Sequence, residues 1–299
     1  DPQVVYTGED LAFLGATITR TLTAFKNSPD NAEGTSLVPD MATDTGTPNA
    51  DATSWQFTLR DGVSFEDGTP VTCADIKYGV SRTFASDIIT DGPSYAISYL
   101  DVPKLEDGTS EYKGPFLAEG SIVAGFDKAV TCSEDGKTIT FNLNRSVADF
   151  NYTVTLPAFS PVPQAKDTGE KYDDAVVSTG PYKIQEYTKG QKMVLVRNEN
   201  WQKSSDDYRP AYPDQVVVLG RRQLLVPYTD PGVPLARVRA GGGLAEIGTA
   251  LLALDPEETR ALLELGNAHL EGKVRFAYSS KTGRGLVAGT VPAGGEFGP

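Results

Sequence analysis

The chain has 299 residues, 39% of them hydrophobic, and 27 Lys and Arg against 40 Asp and Glu, which gives a formal net charge of −13. This apolar content is enough for a packed core and argues against a disordered chain, and the excess of acid excludes binding to nucleic-acid phosphates through clustered basic side chains. No run of about 18 apolar residues is present, so no transmembrane helix is predicted.

The N-terminal part is predicted to form one helix and then a surface loop. Leu11, Leu14 and Ile18 recur at helical spacing, which predicts a first helix over about 9–24. Residues 27–53 are rich in Asn, Asp, Thr, Gly and Pro and hold few large apolar side chains. We therefore predict that they lie in a loop outside the core.

Residues 55–82, which read WQFTLRDGVSFEDGTPVTCADIKYGVSR, carry the densest local signals in the chain. Apolar and polar side chains alternate from Trp55 to Leu59, which predicts a half-buried strand. Two Asp-Gly pairs then supply turns. Thr72 and Asp75 have the spacing of a capping box and predict the start of a helix. This stretch is therefore predicted to be a strand, a double turn and a capped helix.

The middle of the chain mixes short strands with short helices. Residues 95–100 hold a small aromatic and aliphatic cluster, and alternating patterns around Asp-Gly and Lys-Gly turns predict hairpins at 128–143 and 181–198. Three prolines in 147–165 confine any helix to the start of that segment. Because no regular βαβ repeat is present, we predict an α+β fold.

Three stretches, taken in this order, resemble one protein family. Residues 55–82 are similar to the signature W-x-F-x-L-R-x-G-V-x-F-x-D-G-x-P-V-T-x-x-D-I-x-Y-x-x-x-R of family 5 solute-binding proteins, the extracytoplasmic peptide-binding components of ABC importers. Residues 1–25, DPQVVYTGEDLAFLGATITRTLTAF, resemble its opening segment and first helix. Residues 178–201, STGPYKIQEYTKGQKMVLVRNENW, resemble its GTGPY hairpin. The resemblance covers residues 1 to about 218.

The resemblance implies a fold, a function and partners. The fold would be the first lobe of a two-lobed, periplasmic-binding-protein-like α+β fold of type II, cluster C, with the second lobe missing. The function would be non-enzymatic: peptides bind in the cleft between lobes, and ligand binding drives hinge closure. The expected partners are an oligopeptide or similar small solute and the permease subunits of an ABC transporter, without nucleic acid or cofactor. The expected location is the periplasm or the cell surface, with membrane association only through a lipid anchor upstream of Asp1.

Candidate ligand-binding residues are carried over by position from the family. The loop Tyr6, Thr7 and Gly8 and the aromatic Tyr95 would border the cleft. In the alternative interpretation Gly8 only begins a helix and Tyr95 packs at the edge of the core. The family's aspartate that pairs with the α-amino group of a peptide falls beyond residue 218, where this chain has no matching sequence.

The remaining reactive residues predict neither a metal site nor an enzyme. Cys73 and Cys132 are the only cysteines. From the residues alone they are a disulfide, two buried thiols or a reactive pair, and they are too far apart in sequence for a typical metal site. The exported location that the resemblance implies favours the disulfide. His269 is the only histidine, so a hydrolase would depend on it.

The composition changes near residue 218. Residues 1–218 hold 18 Lys and Arg against 32 Asp and Glu, whereas 219–299 hold 9 against 8. We predict a solute-binding lobe over 1–218 and an unrecognised tail over 219–299, with one helix at about 256–270. The tail is a frameshifted translation, a fusion, a divergent remnant or an ordinary helical extension. The alternative function is a non-transporting structural or interaction fragment whose tail packs on the lobe.

Overall fold

A computed structural model describes residues 1–26, 28, 30–116 and 124–219 and the backbone of the strands 223–228, 236–240, 243–247, 274–279 and 284–289. The α-helices in these residues are α1 (Gly8–Thr17), α2 (Asn31–Gly34), α3 (Cys73–Arg82), α4 (Tyr95–Tyr99), α5 (Ala124–Ala129) and α6 (Phe150–Thr153). The strands are β1 (Thr23–Phe25), β2 (Leu37–Pro39), β3 (Thr47–Pro48), β4 (Ser54–Thr58), β5 (Val130–Cys132), β6 (Thr138–Asn142), β7 (Tyr182–Thr188), β8 (Lys192–Arg197), β9 (Gln215–Leu219), β10 (Gln223–Tyr228), β11 (Ala236–Ala240), β12 (Gly243–Ile247), β13 (Val274–Ser279) and β14 (Arg284–Gly289). Among these described helices, none has both the length and the apolar character needed to cross a lipid bilayer.

The chain divides into two compact units. The first contains Asp1–Lys183 and Asn198–Arg209, and the second contains Ile184–Arg197 and Pro210–Pro299. The first unit holds the β1-β2 pair and a sheet of order β3-β4-β6-β5. The second unit holds most of a sheet of order β13-β14-β10-β9-β8-β7 and the pair β11-β12. The lobe boundary predicted at residue 218 lies inside β9 and stays a prediction, and the predicted helix at 256–270 lies outside the described residues.

The core of the first unit forms where β4 meets β6. Trp55 lies opposite Phe141 and Phe57 opposite Ile139, and all four side chains are buried. The polar residues between them are exposed or half-buried, because successive side chains on a strand point to opposite faces. The predicted half-buried strand and both predicted hairpins, β5-β6 and β7-β8, are therefore confirmed.

Helix α3 begins and packs as its sequence predicts. The Thr72 backbone N–H donates to the Asp75 carboxylate at 2.8 Å, and both halves of the capping box are present. Ile76 and Val80 are fully buried on the face that meets the core. Gly79 lets α3 pack closely against the backbone of Ser160, because a Cβ added at Gly79 would overlap the Ser160 carbonyl oxygen.

This contact predicts opposite outcomes for alanine at two helical glycines. Gly79→Ala should lower the free energy of unfolding by about 1–3 kcal/mol, because α3 would have to move away from the Ser160 backbone. Gly15→Ala, in α1, should instead raise it by about 0.4–1 kcal/mol, because a Cβ there meets no atom within 4 Å. Urea unfolding of the two variants measures both effects. Equal effects of the same sign would show that the close approach at Gly79 is wrong.

Helix α1 is shorter than predicted. It ends at Thr17 rather than near residue 24, and the chain continues as extended backbone into β1. The reason is tertiary: the Ile18 carbonyl accepts hydrogen bonds from the Thr179 and Gly180 amides, and the Ser178 hydroxyl also donates to it. These bonds replace the helical partners that the carbonyl would otherwise have had.

The prediction that 27–53 is loop outside the core is wrong in part. Besides α2, β2 and β3, the segment contains Asp40, which is 1% exposed. Its carboxylate accepts from the guanidinium of Arg20 at 2.8 Å and from that of Arg209 at 2.8 and 3.0 Å. The Asp206 carboxylate also pairs with Arg209, at 2.9 Å. We call these two arginines and two aspartates the buried ion cluster; it joins β2 and the end of α1 to the segment 198–209.

Candidate functional site

The first candidate segment is an exposed loop that leads into α1. Tyr6 is 63% exposed. The hydroxyl of Thr7 accepts from the Asp10 amide at 3.4 Å and donates to the Asp10 carboxylate at 2.6 Å, so Thr7 is the N-cap of the helix. Next to it, a Cβ built on Gly8 would have no neighbour within 4 Å. The loop thus has a fixed backbone and an open surface.

The second candidate, Tyr95, is the first residue of α4. Its side chain is 46% exposed, and its ring lies 5.7 Å from that of Tyr99, one helical turn on. The next residue, Ala96, is buried and anchors the helix to the core. Tyr95 therefore stands on the surface rather than in the core.

The structure brings these two segments together through Gly92. This residue has φ of +107°, and an added Cβ would lie 2.9 Å from Cα of Val4 and would overlap the Gln3 carbonyl oxygen. The loop that precedes Tyr95 thus packs directly against the short 3-10 helix, Pro2–Val4, that precedes Tyr6. Only glycine satisfies both the backbone conformation and the close contact. The ligand-binding roles of Tyr6, Thr7, Gly8 and Tyr95 stay predictions, but the segments just before Tyr6 and just before Tyr95 are in contact.

A buried arginine, which the sequence interpretation left without a role, fixes the chain before Tyr6. Arg82, at the end of α3, donates to both carboxylate oxygens of Asp1 and to the carboxylate of Asp167, each at 2.8 Å. Its guanidinium also lies 4.7 Å from the Tyr172 ring centroid. Arg82 was the last position of the family signature, so the motif itself held the signal.

The two cysteines form a disulfide, as predicted. The Cα atoms of Cys73 and Cys132 are 5.8 Å apart, and the bond joins the start of α3 to the end of β5. Cys73 is fully buried, whereas Cys132 is exposed. The bond includes none of the candidate ligand-binding residues.

A cavity of about 460 Å³ opens beside α3, and its lining includes none of the candidate ligand-binding residues. It is lined by Ala74, Lys77, Tyr78, Ser81, Tyr112, Pro115, Phe126, Asp127, Cys132 and Gln164. Several of its polar groups already have partners: Lys77 pairs with Asp127 at 2.7 Å, and the Tyr78 hydroxyl donates to Asp167 at 2.9 Å. Burial and the Asp167 carboxylate raise the pKa of Tyr78, so its hydroxyl stays protonated.

The described residues contain neither a group that could form a metal centre nor the one histidine of the sequence. Among the described residues, no three His, Cys, Asp or Glu side chains are grouped so that they could hold a metal ion. His269 lies outside the part of the chain that the structure describes.

Comparison with known proteins agrees with the resemblance seen in the signature. The profile described as bacterial extracellular solute-binding proteins, family 5, middle region, matches residues 36–222. The periplasmic oligopeptide-binding protein OppA of Salmonella typhimurium is 26% identical over 202 residues, which are 64% of this chain and 32% of that protein. The probable D,D-dipeptide-binding periplasmic protein DdpA of Escherichia coli is 25% identical over 169 residues, 53% of this chain and 26% of that protein. This chain therefore spans about a third of the length of these curated relatives.

Solved structures show the same fold relationship. A structure titled clavulanic acid biosynthesis oligopeptide binding protein 2 superposes with a TM-score of 0.64 at 31% identity and covers 73% of this chain and 37% of that chain. The murein tripeptide-binding protein MppA in its unliganded open form gives 0.56 at 18% identity, covering 93% and 47%, and this likeness concerns the fold alone. The predicted α+β class and the likeness to part of a periplasmic-binding-protein fold are confirmed. The profile matches more than half of the chain, and the chain belongs to family 5 of the bacterial extracellular solute-binding proteins.

Proposed function

We propose that this chain is the extracytoplasmic solute-binding component of an ABC importer and that it binds peptides, with no catalytic activity of its own. The observation that carries this proposal is the packing of Gly92 on Gln3 and Val4, which joins the segment before the exposed candidate Tyr6 to the segment before the exposed candidate Tyr95. The names of the relatives, oligopeptide-binding and dipeptide-binding proteins, support peptides as the ligand class.

The geometry suits recognition of a peptide main chain. The start of α1 at Thr7 and Gly8 has open space beside its backbone, and the exposed Tyr95 carries an apolar ring that ends in a hydroxyl. Contacts of this kind bind the peptide backbone and tolerate different side chains. In the proposed mechanism a second lobe closes over the ligand by a hinge motion, and permease subunits then receive the peptide. A lipid anchor upstream of Asp1 is part of the same proposal.

Calorimetric titration with a mixture of short peptides tests the proposal directly. We expect saturable heat with a Kd tighter than about 1 mM, which corresponds to roughly −4 kcal/mol. Absence of heat at high peptide concentration would overturn the proposal for this chain and favour a structural or interaction fragment. Turnover of peptide that is lost in His269→Ala would instead reveal a hydrolase.

Tyr95 should contribute to binding more than an equally exposed tyrosine elsewhere on the same unit. Tyr95→Ala is expected to weaken peptide affinity about tenfold, because an exposed aromatic side chain at a ligand contact commonly contributes more than about 1 kcal/mol. Tyr152→Ala is the matched control: Tyr152 is 45% exposed and its ring contacts Phe25 instead. Titration of both variants measures the difference. Equal peptide affinities of the two variants would show that Tyr95 is not part of the binding site.

A further inference from the structure

One arginine of the first compact unit has no acidic partner among the residues that the structure describes. Four of its five arginines, Arg20, Arg60, Arg82 and Arg209, each pair with an aspartate. Among the residues that the structure describes, no carboxylate lies within salt-bridge distance of the fifth, Arg145, which is exposed. Residues 1–218 carry 32 Asp and Glu against 18 Lys and Arg, so an arginine without a carboxylate partner stands out on this acidic lobe.

Arg145 is connected to the candidate residue Tyr95 through the ring of Tyr99. Its guanidinium lies 4.7 Å from the ring centroid of Tyr99, and that ring lies 5.7 Å from the ring of Tyr95. We call these three side chains the Arg145 row. The cation rests on the face of an aromatic ring, an arrangement that stabilises an exposed guanidinium and orients it. The row therefore extends the exposed surface of Tyr95 towards a positive charge.

A purely structural role does not account for Arg145. Its one hydrogen bond within the described residues, to the Ser98 carbonyl, is long, at 3.4 Å. That carbonyl already accepts from the side-chain amide of Asn144 at 2.9 Å, and the same amide also reaches the Leu100 carbonyl. Asn144 thus provides a hydrogen-bond donor to both the Ser98 and the Leu100 carbonyl, without help from Arg145. Most of the five guanidinium N–H donors remain for another partner.

We propose that Arg145 binds a carboxylate group of the peptide ligand, either the C-terminal carboxylate or that of an Asp or Glu side chain. This inference rests on the proposed function, because Tyr95 belongs to the proposed peptide site. A guanidinium matches a carboxylate with two parallel hydrogen bonds, which an ammonium cannot do. Because an extended chain rises about 3.3 Å per residue, the carboxylate belongs to a residue within roughly three positions of the one that contacts Tyr95.

The test uses peptides that differ by one carboxylate. Alanine-based tetrapeptides with a free C-terminus are compared with their C-terminal amides, and amidated peptides that carry one Glu are compared with their Gln counterparts. Wild type should prefer the carboxylate member of one pair about tenfold, and the pair that shows the preference identifies the source. Arg145→Ala should abolish the preference, and Arg145→Lys should retain only part of it. Lys104→Ala removes an exposed charge of the same sign and should keep the preference.

The outcomes separate this inference from the function on which it rests. If wild type binds peptides and Arg145→Ala keeps the full preference, Arg145 is not the carboxylate subsite, while the peptide-binding proposal stands. The same conclusion follows if wild type binds acid and amide equally. If wild type binds no peptide at all, both proposals fail. Thermal melting of Arg145→Ala, expected to match wild type, shows that any lost preference is not lost folding.

Discussion

Reduction of the Cys73–Cys132 disulfide is expected to lower the free energy of unfolding of this protein by about 4 kcal/mol. The bond closes a loop with a sequence separation of 59, and on the chain-entropy model a loop of this length restricts the unfolded chain by about that amount. The effect is a large fraction of the total stability of a typical domain. The bond also fixes the start of α3. At the other end of this helix, Arg82 holds the chain before Tyr6 by donating to Asp1.

Thermal melting with and without a reductant measures this effect. The control is the double variant Cys73→Ala with Cys132→Ser. Alanine avoids a hydroxyl at the buried position 73, and the serine hydroxyl at the exposed position 132 can reach water. Reductant should lower the melting temperature of wild type and leave that of the variant unchanged. Two thiols that alkylate in unreduced protein made in an oxidising compartment would contradict the bond, as would identical melting under both conditions.

Local patterns predicted the centre of the first unit because their causes lie between neighbours in sequence. The alternation from Trp55 to Leu59 became β4, and the spacing of Thr72 and Asp75 became a capping box. Each depends on residues at most four positions apart. The hairpins followed for the same reason, since turn residues and strand alternation are both local.

The predictions were wrong where partners distant in sequence determine the local structure. Helix α1 ends early because the carbonyl of Ile18 bonds to the amides of Thr179 and Gly180. Asp40 looked like a loop residue because its two arginine partners are 20 and 169 positions away. No periodicity contains such information.

The candidate site shows the same division. The resemblance supplied Tyr6 and Tyr95 by position, but only the packing at Gly92 shows that their loops are neighbours. The sequence pattern places Tyr99 in the aromatic and aliphatic cluster at 95–100 and gives no role to Arg145. The two meet because Leu100 pairs with Leu143 across a single bridge, a contact between segments more than 40 positions apart. Only the folded structure shows that, among the described residues, Arg145 has a ring and a carbonyl beside it but no carboxylate.

The buried ion cluster is the second place where one substitution should have a large effect. Asp40 and Asp206 balance Arg20 and Arg209, and all four side chains are at most 3% exposed. Burial alone would raise the pKa of Asp40, but the charges of Arg209 and Arg20 outweigh it and hold the pKa well below its ordinary value. The carboxylate is therefore charged in the folded protein across the whole neutral range.

Asp40→Asn should lower the free energy of unfolding by about 3–5 kcal/mol, because it leaves two buried guanidinium groups with one carboxylate. The matched control is Asp207→Asn: the side chain of Asp207 is 80% exposed where it pairs with Arg60, and its loss should cost less than about 1 kcal/mol.

The pH dependence of unfolding gives a second measurement of the Asp40 contribution. A carboxylate whose pKa is lower in the folded state stabilises the fold above its unfolded pKa of about 3.9 and loses that contribution as the pH falls below it. The gap between wild type and Asp40→Asn in urea unfolding should therefore be constant from pH 6 to 8 and narrow in acid, and equal losses in the two variants would show that the cluster is not a paired, buried unit.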